Sequence, residues 1–201
     1  LVTENGNKME PWNYNIVEEK YQYLKSAPSD INEHLPIIKK YTEECDSVLE
    51  LGVRWVVAAY AFLAGNPKKY VGMDLDEPSR WGADLELLKR GAKQRGIDFE
   101  FKKCNDLDPA IYNSLPNFDL IFIDTDHTYE QVKNELEIYH KKCNKYLMLH
   151  DTVSFRYGGM NGDKKGIWPA VTEFLDKNKE WEIWESFANN NGLTILKKIK
   201  S

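Results

Sequence analysis

Three cysteines in 201 residues, Cys45, Cys104 and Cys143, form no C-x-x-C pair and have no zinc spacing. So sparse and odd-numbered a set excludes a disulfide-stapled scaffold. It reads as small buried side chains in a reducing compartment, and a cytoplasmic location is expected. Basic charge is also short: 27 Lys and Arg against 32 Asp and Glu leave a formal net charge of -5. With no cationic excess to release phosphate counterions, no nucleic acid is expected as the main partner. The longest apolar run, Val53–Ala64, is broken by Arg54 and is too short for a bilayer, and no secretory leader is visible, so no membrane role is expected. Internal repeats and low-complexity tracts are missing. The chain starts at Leu1 rather than Met, which reads as trimming or as a domain of a longer polypeptide whose other domains are candidate partners.

What is present is an ordinary globular balance, 42% hydrophobic and 29% charged, enough for one domain with a substantial core. Residues 1–12 are polar and read as a mobile arm. Helical spacing runs from Tyr14 to Leu24 and again from Asp30, a candidate N-cap, to Cys45. These helices, with the arm, form an N-terminal part (1–45) packing on a main domain (46–201). The main domain alternates. Strands are expected at Ser47–Leu51, Tyr70–Leu75, Asp98–Lys102, Phe118–Asp124 and Tyr146–His150. Helices are expected from Gly52 to Ala64, Ser79–Arg95, Pro109–Leu115, Thr128–His140 and Pro169–Asn178. Such alternation implies right-handed βαβ units and a doubly wound parallel sheet. Trp181–Ser186 and Leu193–Lys198, joined by Asn189-Asn190-Asn191-Gly192, read as a terminal antiparallel hairpin.

In such a sheet ligands bind beyond the carboxyl ends of the strands. The first strand ends Glu50-Leu51-Gly52-Val53-Arg54, where glycine lets the backbone approach a ligand. The second ends Asp74-Leu75, 22 residues after Gly52, where an acid can accept ribose hydroxyls; a plain glycine turn and a surface carboxylate fit the same residues. Asn105-Asp106 follow the third strand, suited either to an adenine amino group or to capping the helix at Pro109. The densest signal is Asp124-Thr125-Asp126-His127 after the fourth strand, with His150-Asp151 ending its neighbour. Carboxylates there suit Mg²⁺ or Mn²⁺, and a nearby histidine suits a general base. Taken singly, Asp126 reads equally as a helix cap and His150 as a core histidine.

Glu50-Leu51-Gly52, Val71-Gly72-Met73-Asp74 and Phe118–Asp124 together resemble the motif series of class I S-adenosylmethionine (SAM) methyltransferases. Asp124-Thr125-Asp126-His127-Thr128-Tyr129 followed by His150-Asp151 is similar to the O-methyltransferase branch of cephalosporin-biosynthesis and macrolide-sugar enzymes. The resemblance implies a Rossmann-like seven-stranded sheet and methyl transfer to a hydroxyl. It implies SAM contacts from Glu50, Gly52, Val53, Arg54, Asp74, Leu75, Asn105, Asp106 and Asp124. It further implies His127, Asp124 or Asp126 as the base, and Mg²⁺ or Mn²⁺ held by Asp124, His150 and Asp151. Two positions depart from the pattern. Arg54, Trp55, Val56 and Val57 stand where relatives carry glycines, and histidine replaces one carboxylate at His150.

The acceptor implied is a small molecule or glycan, a sugar hydroxyl in the nearest branch. The chain also resembles the methyltransferase domain of a chlorovirus glycan-assembly protein, for which a deoxyhexose such as rhamnose fits. The glycine-rich segment Phe155–Trp168 is a candidate acceptor loop, and a homo-oligomer is compatible. Two other classes share part of the pattern. A nicotinamide-dependent oxidoreductase should show G-x-G-x-x-G after the first strand, which is absent. A non-catalytic nucleoside-binding module of the same fold accounts for the eroded glycine turn.

Overall fold

From Ser47 onward short apolar runs become strands and amphipathic stretches become helices, in a computed structural model that describes residues 15–199. The arm at 1–12 lies outside the described residues. One sheet contains β1 (Ser47–Leu51), β2 (Lys69–Asp74), β3 (Asp98–Lys103), β4 (Phe118–Ile123), β5 (Cys143–His150), β6 (Trp181–Phe187) and β7 (Leu193–Lys198), ordered β3-β2-β1-β4-β5-β7-β6. The first five are parallel, and β7 lies antiparallel between β5 and β6. The doubly wound sheet and its terminal hairpin are as expected. At the hairpin tip Asn190, Asn191 and Gly192 take φ of 46°, 72° and 96°, conformations that Asn and Gly tolerate.

Successive strand residues point to opposite faces, so each strand feeds two cores. Val48, Leu120, Phe122 and Met148 belong to one cluster, and Leu49, Leu51, Ile121, Ile123 and Leu147 to the other. The first is covered by α1 (Ile16–Ser26), α2 (Leu35–Thr42), α3 (Val57–Gly65) and α4 (Leu85–Gln94). The second is covered by α5 (Pro109–Tyr112), α6 (Tyr129–Tyr139) and α7 (Trp168–Lys177). The helices of the N-terminal part pack on this body: α1 against α3 and α4, α2 against α3.

Several boundaries differ from the sequence expectation for local reasons. The helix expected over Ser79–Arg95 is split. A 3₁₀ turn at Pro78–Trp81 ends at Gly82 with φ 80°, and α4 starts afresh with Asp84 accepting from the Leu87 N–H. Asp30 caps nothing; Ser29 Oγ accepts from the Asn32 N–H at 3.0 Å, and α2 begins five residues past Asp30 with Pro36 in its first turn. Strand β5 starts three residues early, at Cys143, because a register irregularity lets Cys143 pair with Phe118. The helix near Pro109 is capped by Asp108, through the Ala110 N–H, and not by Asp106. Thr128, not Asp126, caps α6. Asp106 and Asp126 are thereby left for the cleft.

Candidate active site

At the end of β1 the chain turns on Gly52, φ 87°, whose N–H donates to the Met73 carbonyl. A Cβ at Gly52 would sit 2.0 Å from the Asp124 carbonyl oxygen, so only glycine lets β1 and β4 close at this height. Beyond it Arg54 and Val56 occupy the left-handed region, at φ 41° and 58°, where glycine is the unstrained choice. The turn therefore keeps a glycine-like path without the glycines. Asp74 supports it: Oδ2 accepts from the Val53 and Arg54 N–H groups, both at 2.9 Å, and Oδ1 accepts from the Asp76 N–H at 2.9 Å. The Arg54 guanidinium lies 3.8 Å from the Trp55 ring centre and 5.7 Å from that of Trp81. Those two tryptophans, exposed at the cleft mouth, carried no motif in the sequence.

Glu50 is buried beneath this turn and accepts a hydrogen bond from the Tyr70 hydroxyl. Burial pushes its carboxyl well above the ordinary range, against the pull of that bond.

Across the cleft, the parallel register aligns Leu51 with Ile123 and Ile123 with Leu149, which brings the ends of β4 and β5 side by side. His127 Nε2 lies 2.9 Å from Asp151 Oδ2 and 3.2 Å from Asp124 Oδ1. His150 Nδ1 lies 3.4 Å from each of the same two oxygens, while its Nε2 donates to the Asn190 carbonyl at 3.2 Å. Burial on its own lowers both imidazoles. The carboxylates outweigh it and hold His127 up to about 9 and His150 up to about 10. Burial works against the ionised carboxyls too, yet the two imidazoles hold Asp124 and Asp151 below the usual carboxylate range. Asp126 is exposed at the rim.

The three side chains that can offer ligand atoms within 4.8 Å of one another, among the described residues, are Asp124, His127 and Asp151. His127 thus stands closer to the carboxylates than His150, to which the sequence reading gave the third ligand position. Asp151 Oδ1 is buried and makes no hydrogen bond, which suits a cation ligand. A mixed imidazole–carboxylate set fits a divalent cation, and Mn²⁺ more readily than Mg²⁺.

Residues that no motif marked complete this end. Phe155 stacks on His127 with ring centres 4.7 Å apart and planes 4° from parallel, and Met160 Sδ lies 3.2 Å from His127 Nδ1. Both come from the segment expected as an acceptor loop, which is pinned by the Met160 N–H to the His127 carbonyl and by Asp163 to the Tyr129 N–H. At the opposite end Gln131 and the fully buried Glu135 back Asp106. Glu135 was detectable as an acid inside the apolar stripe Val132–Leu136–Tyr139. All the strand-end segments open into one cleft of about 700 Å³, lined by Gly52, Asp74, Asp106, Asp124, Asp126, His127 and Asp151, with Glu50, Val53, Arg54, Leu75 and Asn105 along its wall. His150 lies behind it.

No family profile matches the sequence. A mimivirus protein of uncharacterised role, from Acanthamoeba polyphaga mimivirus, is 26% identical over 144 residues, 64% of this chain and 61% of that protein, less than two thirds of its length. Among solved structures, the SAH-bound Podospora anserina methyltransferase superposes with TM-score 0.63 at 12% identity, over 96% of this chain and all of that one. A Bacillus cereus O-methyltransferase in complex with SAH gives 0.63 at 13%, over 94% and 92%. A Streptomyces achromogenes O-methyltransferase involved in tomaymycin synthesis, in complex with SAM, gives 0.61 at 10%, over 94% and 91%. At such identities the likeness establishes architecture: this chain has the Rossmann-like, seven-stranded fold of the class I methyltransferases.

Proposed function

We propose that this chain is a SAM-dependent O-methyltransferase that methylates a hydroxyl of a sugar or glycan. The observation that carries the reading is the single cleft joining the Gly52–Asp74–Asp106 wall to the Asp124–His127–Asp151 cluster. The glycine turn admits the methionine end of the cofactor. Asp74 Oδ1, with one amide accepted and lone-pair capacity left, suits a ribose hydroxyl, and Asp106 suits the adenine amino group. The neighbouring folds crystallised with SAM or SAH support the cofactor.

The transfer is in line: the acceptor oxygen attacks the methyl carbon, the C–S bond breaks and the hydroxyl proton leaves. The cleft contributes chiefly by holding acceptor and methyl in register. Asp124, His127 and Asp151 would hold a divalent cation, which supplies charge stabilisation to the acceptor oxygen when bound. Gripped by two carboxylates, His127 keeps its proton at neutral pH, so without a cation it accepts the hydroxyl proton only in the fraction deprotonated towards its pKa of about 9. Asp126, exposed at the rim, and the glycine-rich loop that carries Phe155 and Met160 offer polar and aromatic contacts suited to a sugar. Methyl-labelled SAM with a panel of free sugars, glycan fragments and catechols, with and without chelator, tests the reading. Label on a sugar hydroxyl, reduced by chelator, is expected; transfer only to catechols overturns the acceptor, and no binding of SAM or SAH overturns the whole.

A further inference from the structure

We propose that Glu135 on α6, outside the reacting centre, is a positioning residue that holds Asp106 as the acceptor for the adenine amino group and ties that end of the cleft to Asp124. This rests on the cofactor reading above and adds to it a residue that no motif assigns.

Glu135 is completely buried, yet none of its contacts is a cation. Its Oε1 accepts from the Thr125 hydroxyl and from Gln131 Nε2, the latter at 2.9 Å. The same Gln131 amide lies 3.4 Å from each Asp106 carboxylate oxygen. Glu135 Oε2 is buried and meets no N–H or O–H donor; burial first and then the Asp106 carboxyl push the Glu135 carboxyl well above the ordinary range. Two carboxyls gathered round one Gln131 amide away from water favour one proton between them. Oε1 is occupied as a double acceptor, so a proton held by the pair falls to Oε2 on the Asp106 side, and the Asp106 carboxyl lines the cleft. The Tyr139 hydroxyl fixes the Asp106 backbone carbonyl at 2.8 Å. Thr125 follows Asp124 directly, so Glu135 links the loops after β3 and β4 through one side chain. If filling space were its only task, an apolar residue would avoid the cost of burying a carboxyl.

The test compares SAH affinity by calorimetry, and KM for SAM with kcat, in the full chain and in Glu135→Gln and Glu135→Leu, each also with Asp106→Asn. Glutamine can accept at Oε1 and donate at Nε2, so Glu135→Gln is expected to keep SAH affinity within about twofold. Glu135→Leu is expected to weaken SAH and raise KM for SAM about tenfold or more, with kcat much less affected. With Asp106→Asn the leucine change should add less than about twofold, because the two act as one unit. A folded leucine variant that binds SAH like the parent overturns the proposal, as does a glutamine variant as impaired as the leucine one. Should the leucine chain not fold, Thr125→Val carries the same cycle, and an equal effect with and without the Asp106→Asn change overturns it. A parent chain that binds no SAH overturns the cofactor reading instead.

Discussion

His127 shows how far a residue's chemistry depends on its surroundings. As a free imidazole it titrates near neutrality, but two carboxylates at 2.9 and 3.2 Å keep it protonated. Replacing it by alanine should lower methyl transfer about 10²–10⁴-fold while leaving SAH affinity within about twofold; single-turnover rates beside calorimetry check this, and undiminished transfer removes His127 from the proton-accepting role. Glu50 is the opposite case, a carboxyl whose charged form burial disfavours. Its folded-state pKa lies above its unfolded one because of burial, so its contribution is full below the unfolded value of about 4.3 and is lost as pH rises through the folded value. Urea unfolding of the parent and Glu50→Gln across pH 5 to 8 should show the parent losing stability relative to the variant as pH rises. A constant difference would mean that Glu50 does not titrate in this range.

At the scale of elements, the strand ends are built to close tolerances. Gly52→Ala places a Cβ against the Asp124 carbonyl in a left-handed conformation. It should destabilise the fold by more than about 2 kcal/mol and abolish SAH binding, read by thermal unfolding and calorimetry. Helix α4 makes a milder test far from the chemistry. Asp84→Ala removes the side chain that accepts from the Leu87 N–H, so about 1 kcal/mol should be lost with SAH affinity unchanged. An unaltered melting temperature would mean that the cap contributes nothing. The same helix shows where sequence reading stops short: its periodicity was visible from Ser79 on, but the break at Gly82 depended on a backbone conformation that periodicity does not encode.

For the whole molecule, a ligand that binds only the folded state stabilises it. SAH at a hundredfold excess over its Kd should add about 2.7 kcal/mol, seen as a melting shift of roughly 5–10 °C for a chain of this size. NAD should give none, and the reverse outcome would favour the nicotinamide class. The order of strands and helices, the terminal hairpin and, to within a residue, the strand ends were legible in the sequence, because hydrophobic period and turn chemistry act within a few residues. So were Gly52, Asp74, Asp106 and the Asp124–His127 and His150–Asp151 pairs as candidates. Only the tertiary structure decided which of them meet. The β1–β4–β5 register sets Asp151 against His127, and the loop after β5 brings Phe155 and Met160 onto the same ring. Protonation in such a cluster is a property of groups far apart in the chain, so no local pattern shows that two carboxylates hold the His127 imidazole up, that burial and Asp106 raise the Glu135 carboxyl, or that Arg54 and Val56 follow a glycine path.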